Sequence, residues 1–213
     1  MNTVIGIKAT LLTPLVFHGL MVDGGSSTIA DVLSDKAMAF ALAESLGWMP
    51  SGVGLPTSPS YREHLSAMPF RTSMFLPRPG SPAPRLGFPQ ARKLNIDAEG
   101  GRSLDLDGVT KSGNVKDYFT VQEVQPGAIY EGMLWWPSDR PSLPKEWVVR
   151  TGLGRQSMVK IEQISPPEVV VLNAHTAALF DRPLPCHKYY LHSLQAAPPR
   201  SVAEAVAELS TWH

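Results

Sequence analysis

The sequence predicts an α+β fold, an antiparallel sheet with helices segregated to one face. Three observations lead there. Apolar residues make up 43% of the 213, which is enough for a core and excludes wholesale disorder. Strand-like stretches follow one another through the second half without helices regularly between them, so a doubly wound parallel sheet is not expected. Clear helical patterns occur at two places only, near residues 28–46 and 202–209. Taken with the order strand, helix, long insertion, strands and late helix, these make a ferredoxin-like core the best-fitting arrangement.

Residues 3–17, TVIGIKATLLTPLVF, read as the first strand, β-branched and aliphatic from Val4 to Leu12, with Pro14 bending its end. Thr28 to Leu46 reads as a helix. Thr28 and Asp31 have the spacing of a capping box, Ile29, Leu33, Ala37, Phe40 and Ala41 share a stripe, and Gly47 closes it. Tyr61 to Leu76 is expected to be a hairpin or strand pair around Pro69. Residues 77–93 carry four basic and no acidic residues among five prolines, which predicts an extended basic arm. Residues 97–117 are Gly-, Asp- and Ser-rich and read as a loop. Strands are expected at 118–124, 129–136, 147–150, 157–164, 169–172 and 188–191, and a short helix at 202–209. The 20 prolines cluster at 50–59, 77–89, 126–144 and 183–199, so regular elements must be short. A single domain over 1–213 is expected, with an inserted loop or thumb at about 50–127.

Lys plus Arg and Asp plus Glu number 19 each, so any nucleic-acid binding must rest on local placement of charge rather than on net charge. The single cysteine, Cys186, allows no internal disulfide and fits a reducing compartment. No basic-then-apolar leader and no membrane-length apolar run is read, so a soluble cytoplasmic protein is expected. The histidines lack metal-ligand spacing, and Asp105-Leu106-Asp107-Gly108 lacks the spaced oxygens and closing Glu of a calcium loop, so no metal and no cofactor are expected. Walker A, nucleophile-elbow and dinucleotide fingerprints are missing from the chain.

Two features remain. The first is WVVRTGLGRQSMVKIEQI, residues 147–164, in which Gly152 and Gly154 make a turn flanked by Arg150, Arg155 and Lys160. Bare backbone ringed by cations suits a phosphate chain, and equally suits a plain hairpin turn with solvated bases. The second is His18, placed beside Gly19 just after the first strand, where an imidazole could act as acid or base in RNA cleavage through a 2′-hydroxyl. In Trp135-Trp136 and Tyr189-Tyr190, strand alternation turns one ring of each pair outward, where it could stack on a base or pack against a partner.

The helix segment STIADVLSDKAMAFAL, Ser27 to Leu42, after a first strand and glycine loop, with the later VVRTGLGRQSMVKIE, Val148 to Glu162, resembles the RAMP-superfamily subunit that caps the 5′ handle of the guide RNA in class 1 CRISPR effector complexes. The short, divergent versions of type IV and type I-D systems are most similar. The resemblance covers the first ~45 residues and roughly 129–172, a little under half of the chain. It implies a ferredoxin-like, RRM-related domain with a thumb and a ribonucleoprotein role in antiviral defense; one branch of the family cuts repeat RNA, but no Tyr-Lys-His arrangement is read here, so catalysis is not carried over. The implied partners are the crRNA 5′ handle, the backbone and large subunits, and target DNA indirectly. Carried onto this chain, Arg150, Gly152, Gly154, Arg155 and Lys160 become handle contacts, and Arg78, Arg85, Arg92 and Lys93 belong to the thumb. Alternatives are a metal-independent endoribonuclease for CRISPR repeat RNA, using His18, and a protein-interaction module or small-molecule enzyme that binds no nucleic acid.

Overall fold

In the computed structural model, residues 3–17, 20–22, 25–47, 61–93, 118–152 and 155–212 are described. The first half contains β1 (Thr3–Leu11), β2 (Leu20–Val22), β3 (Gly25–Ser27), α1 (Asp35–Ser45), α2 (Tyr61–Ala67), β4 (Arg71–Thr72), β5 (Leu76–Pro77) and β6 (Gln90–Lys93). Then follow β7 (Tyr118–Gln122), β8 (Ile129–Trp136), β9 (Glu146–Thr151), β10 (Ser157–Ile164) and β11 (Val169–Val170). The chain continues through α3 (Ala174–Leu179), β12 (Lys188–Leu191), β13 (Leu194–Ala196), β14 (Arg200–Ser201) and α4 (Val202–Leu209).

This is an α+β fold built on one antiparallel sheet in the order β4-β8-β1-β10-β9, with β5 sharing the outer edge of β8. β1 is its central strand, paired along nearly its whole length with both β8 and β10. Alternation along these strands sends Ile7, Ala9 and Leu11 of β1, Tyr130 and Leu134 of β8, and Val159 and Ile161 of β10 into the core. Helix α1 packs against both β9 and β4, the two ends of that order, so the sheet curls around it. A smaller sheet, β2-β3-β7-β6, joins the beginning of the chain to residues 90–93 and 118–122.

The helix expected from Thr28 starts later. Ser34 is its N-cap and accepts from the Ala37 N–H, while Thr28 donates its N–H to Gln122 and Leu33 bridges Phe75. Backbone groups of 28–33 are thus spent on tertiary pairing, yet Val32 and Leu33 are buried, which is what made the stripe look helical. Gly47 closes the helix in the left-handed region, as expected. Tyr61–Ala67 is a helix and not a strand. Residues 76–93 do not form a free arm: β5 pairs with β8, Leu86 bridges Val124, and β6 pairs with β7. α3, capped by Asn173, was not expected at all. Residues 97–117, with Asp105 and Asp107, lie outside the described residues, as does His18.

No helix among the described residues is long and apolar enough to cross a membrane, and no cluster of metal-ligating side chains occurs among them. Cys186 is an exposed free thiol.

Candidate nucleic-acid interface

The glycine segment is the turn of the β9–β10 hairpin. Gly152 adopts φ +79 and Arg155 φ +54, so two left-handed residues bracket the tip. Gly152 is there because space and conformation both require it. A Cβ would lie 2.6 Å from the Val16 carbonyl oxygen, since the segment after β1 crosses directly beneath. Ser157 Oγ donates to Pro14 O at 2.8 Å and the Met158 N–H donates to Thr13 Oγ1 at 2.8 Å, fastening the hairpin to that segment. Gly154 lies outside the described residues.

The face of the sheet turned away from α1 carries the predicted cations. Register places Met158 beside Arg150, then Thr10, Lys160 and Val148 in one row, then Glu131, Lys8, Glu162 and Glu146 in the next. Lys8 bonds Glu162 at 2.8 Å, Lys160 bonds Glu146 at 3.0 Å and reaches Glu162 at 3.6 Å, and Arg78 bonds Glu131 at 2.9 Å. Glu146 and then Glu162 raise the Lys160 amine above its ordinary range, and Lys8 holds the Glu162 carboxyl below its own. Four cations therefore meet three carboxylates, and the unmatched one is Arg150. It is exposed and makes no ion pair with another described residue. Val148 and Met158, exposed large apolar side chains, neighbour it on the ladder, with exposed Leu12 beyond Met158.

Arg155 points off this face and pairs with Glu44 in the last turn of α1. The structure thus brings Arg150 and Lys160 together on one face and places Arg155 at the hairpin tip. Arg78 is at the opposite edge of the sheet, on Glu131. Arg85 is exposed on the strand-like segment opposite Gln125, and Arg92 and Lys93 follow in β6 with side chains outside the described residues. Of the paired aromatics, Trp136 is buried against Phe70 and Trp135 is half-buried, while Tyr189 is 63% exposed and Tyr190 sits under Lys188 at 4.5 Å.

A second constellation went unread in the sequence. Lys36 Nζ lies 3.1 Å from His175 Nδ1, and the His175 and His192 rings meet edge to face at 5.2 Å. An ammonium only donates, so with Lys36 charged His175 accepts at Nδ1 and carries its proton on Nε2. Burial holds the Lys36 amine below the lysine range despite Asp35 beside it; burial, then Lys36 and His192, hold His175 below its ordinary value. Asn173 organises the floor of this junction. Its amide donates to Asp35 Oδ1 at 2.7 Å and Ser193 O at 3.1 Å, and accepts from the His175 and Gln195 N–H groups, both at 3.1 Å.

The depressed His175 has a consequence for stability. The unfolded chain takes up the proton near the ordinary value of about 6.5 and the folded one resists it, so stability is full above that pH and falls as the solution is acidified through it. Urea midpoints measured at pH 7.5 and pH 5 should therefore converge in His175→Gln and differ more in the wild type. An equal drop in both would place the titration on other groups.

No protein-family model matches the chain, and no curated protein matches it.

Proposed function

We propose that the chain is a non-catalytic RNA-binding subunit of a CRISPR guide-RNA surveillance complex, capping the crRNA 5′ handle through the β9–β10 hairpin and the sheet face beside it. The observation that carries this reading is Arg150: an exposed guanidinium without an ion pair to a described residue, next to a turn with two left-handed residues, on the sheet face turned away from α1. Arg155 and Lys160 hold carboxylates, but pairs between such exposed side chains add little net stability, so a phosphate can displace them. The directions and order β8-β1-β10-β9, with α1 following β1, agree with a ferredoxin-like, RRM-related sheet. The departure is β8, which precedes β9 and β10, whereas the strand in that position of a split βαβ fold comes last. Binding would be salt-sensitive in proportion to a handful of phosphates. The neutral overall charge leaves the remaining surface for backbone and large subunits.

The test is purification with the products of neighbouring genes, followed by sequencing of the bound RNA. Uniform short RNAs with one 5′ end are expected, and their loss in Arg150→Ala plus Arg155→Ala. The same experiment reads out the endoribonuclease alternative, which the Lys36–His175–His192 junction favours because it joins a desolvated cation to two imidazoles. Repeat RNA cut in the presence of chelator, and left whole by His175→Ala, would replace the capping reading. Purified protein without RNA or partner chains would sink both.

A further inference from the structure

Phe88 is 89% exposed, the most exposed large hydrophobic side chain among the described residues. It is not on a frayed segment. On its N-terminal side Arg85 O accepts from the Gln125 N–H, Leu86 bridges Val124, and the Gly87 N–H donates to Glu123 O at 2.8 Å. On its C-terminal side Gln90 pairs with Val121. From Leu86 to Gln90 the chain advances four residues while the partner strand retreats from Val124 to Val121, three residues, so the ladder holds one extra residue between them. That is a β-bulge over Gly87-Phe88-Pro89, and Pro89 has no N–H to return to the ladder. A bulge re-aims a side chain, and this one turns a phenyl ring into solvent at a fixed position between two paired stretches.

From this we infer that Phe88 is a stacking platform for one base of a single-stranded RNA. The charge of its own segment selects that occupant. Residues 77–93 contain no acidic residue, and Arg85, three residues before the ring, is exposed without an ion pair to a described residue. An exposed flat ring on a segment that also carries an exposed guanidinium suits a base and its phosphate. A protein hot spot would sit within an apolar surround, and among the described residues of this segment the one other exposed large apolar side chain is Leu86, at 39%. The inference rests on the RNA-binding reading above and names a side chain that touches a base.

The experiment is fluorescence anisotropy of a labelled single-stranded RNA of about 12 nucleotides, a length on the order of one such site, against the purified protein over a range of salt. Phe88→Ala is expected to weaken binding about 5- to 150-fold without changing the salt slope, and Phe88→Trp to restore it. Arg85→Ala should lower the slope by about one. On an abasic strand the Phe88→Ala penalty should vanish. If Phe88→Ala binds as wild type does while Arg150→Ala plus Arg155→Ala is weakened, the stacking role is overturned and the RNA-binding reading stands. If wild type binds no RNA, and Phe88→Ala instead releases a co-purifying protein chain, both are overturned and the ring is a protein contact.

Discussion

Asn173→Ala is expected to lower stability by about 3–5 kcal/mol, which for a chain of this length moves Tm down by roughly 10 °C. The side chain is buried and every hydrogen-bonding capacity of its amide is used, two donors on Asp35 and Ser193, two lone pairs on His175 and Gln195. Alanine removes the amide and leaves its buried partners each short of a hydrogen bond, the Asp35 carboxylate foremost, and a buried carboxylate that loses a donor is the costliest remnant of such a deletion. Asn173 also caps α3, so its loss frays that helix as well. Asn173→Asp separates the electrostatic part from the packing part. It keeps the shape, cannot donate to Asp35, and sets two carboxylates face to face, so acidification should stabilise this variant where it destabilises the wild type. Urea denaturation at two pH values measures both. An Asn173→Ala protein within about 1 kcal/mol of wild type would mean that the junction contributes little to the fold.

Gly6→Ala is expected to cost about 3 kcal/mol or more, or to prevent folding. The reason is steric. In the central strand β1 an added Cβ would lie 2.3 Å from Ser165 O, 2.5 Å from Ser165 C and 2.8 Å from Ile164 O, because the chain leaving β10 folds over this point of the sheet. These are backbone atoms, those of Ser165 directly after the Ile164 that pairs with Gly6, and cannot rotate aside as a side chain could. Gly47→Ala is the natural contrast: its φ is +71 but nothing lies within 4 Å, so only the left-handed conformation is penalised, at about 1 kcal/mol. Equal effects in the two variants, read from urea midpoints, would refute the steric account.

The strands were legible where one face of a stretch is buried along its whole length. The alternation of Ile129 to Trp136 and of Met158 to Ile164 placed β8 and β10 to within a residue or two, whereas the first strand, read over 3–17, ends at Leu11. α4 was read from Val202, Val206 and Leu209, although its capping box of Ser201 and Glu204 would have served as well. The start of α1 was misplaced because Thr28-x-x-Asp31 carries a start signal while the backbone of that stretch is engaged by Gln122 and Phe75, which no local pattern reveals. α3 was missed because its six residues fall below the length at which periodicity can be told from chance.

The site was legible only as residue types. Arg150, Gly152 and Lys160 stood out as cations around a turn, but their pairing could not be foreseen: Arg155 is neutralised by Glu44 on a distant helix and Arg78 by Glu131 across the sheet edge. Lys36 and His175 are 139 residues apart, and nothing in either neighbourhood announces the other. Phe88 looked like one apolar residue in a proline-rich stretch. Its significance comes from a register shift that exists only once 86–90 and 121–124 lie side by side.

The central position of β1 has a bearing on how the protein is made. It is synthesised well before its neighbours, which begin on one side only at Ile129 and on the other only with β10. Until β8 is made, this apolar strand of the nascent chain carries two open edges, the condition under which chains capture one another instead of themselves. Fold completion is therefore a late event dominated by distant pairings, and slow by the relation between rate and sequence separation. Yield in a recombinant host should respond more to translation speed and to holdase chaperones than to any surface substitution.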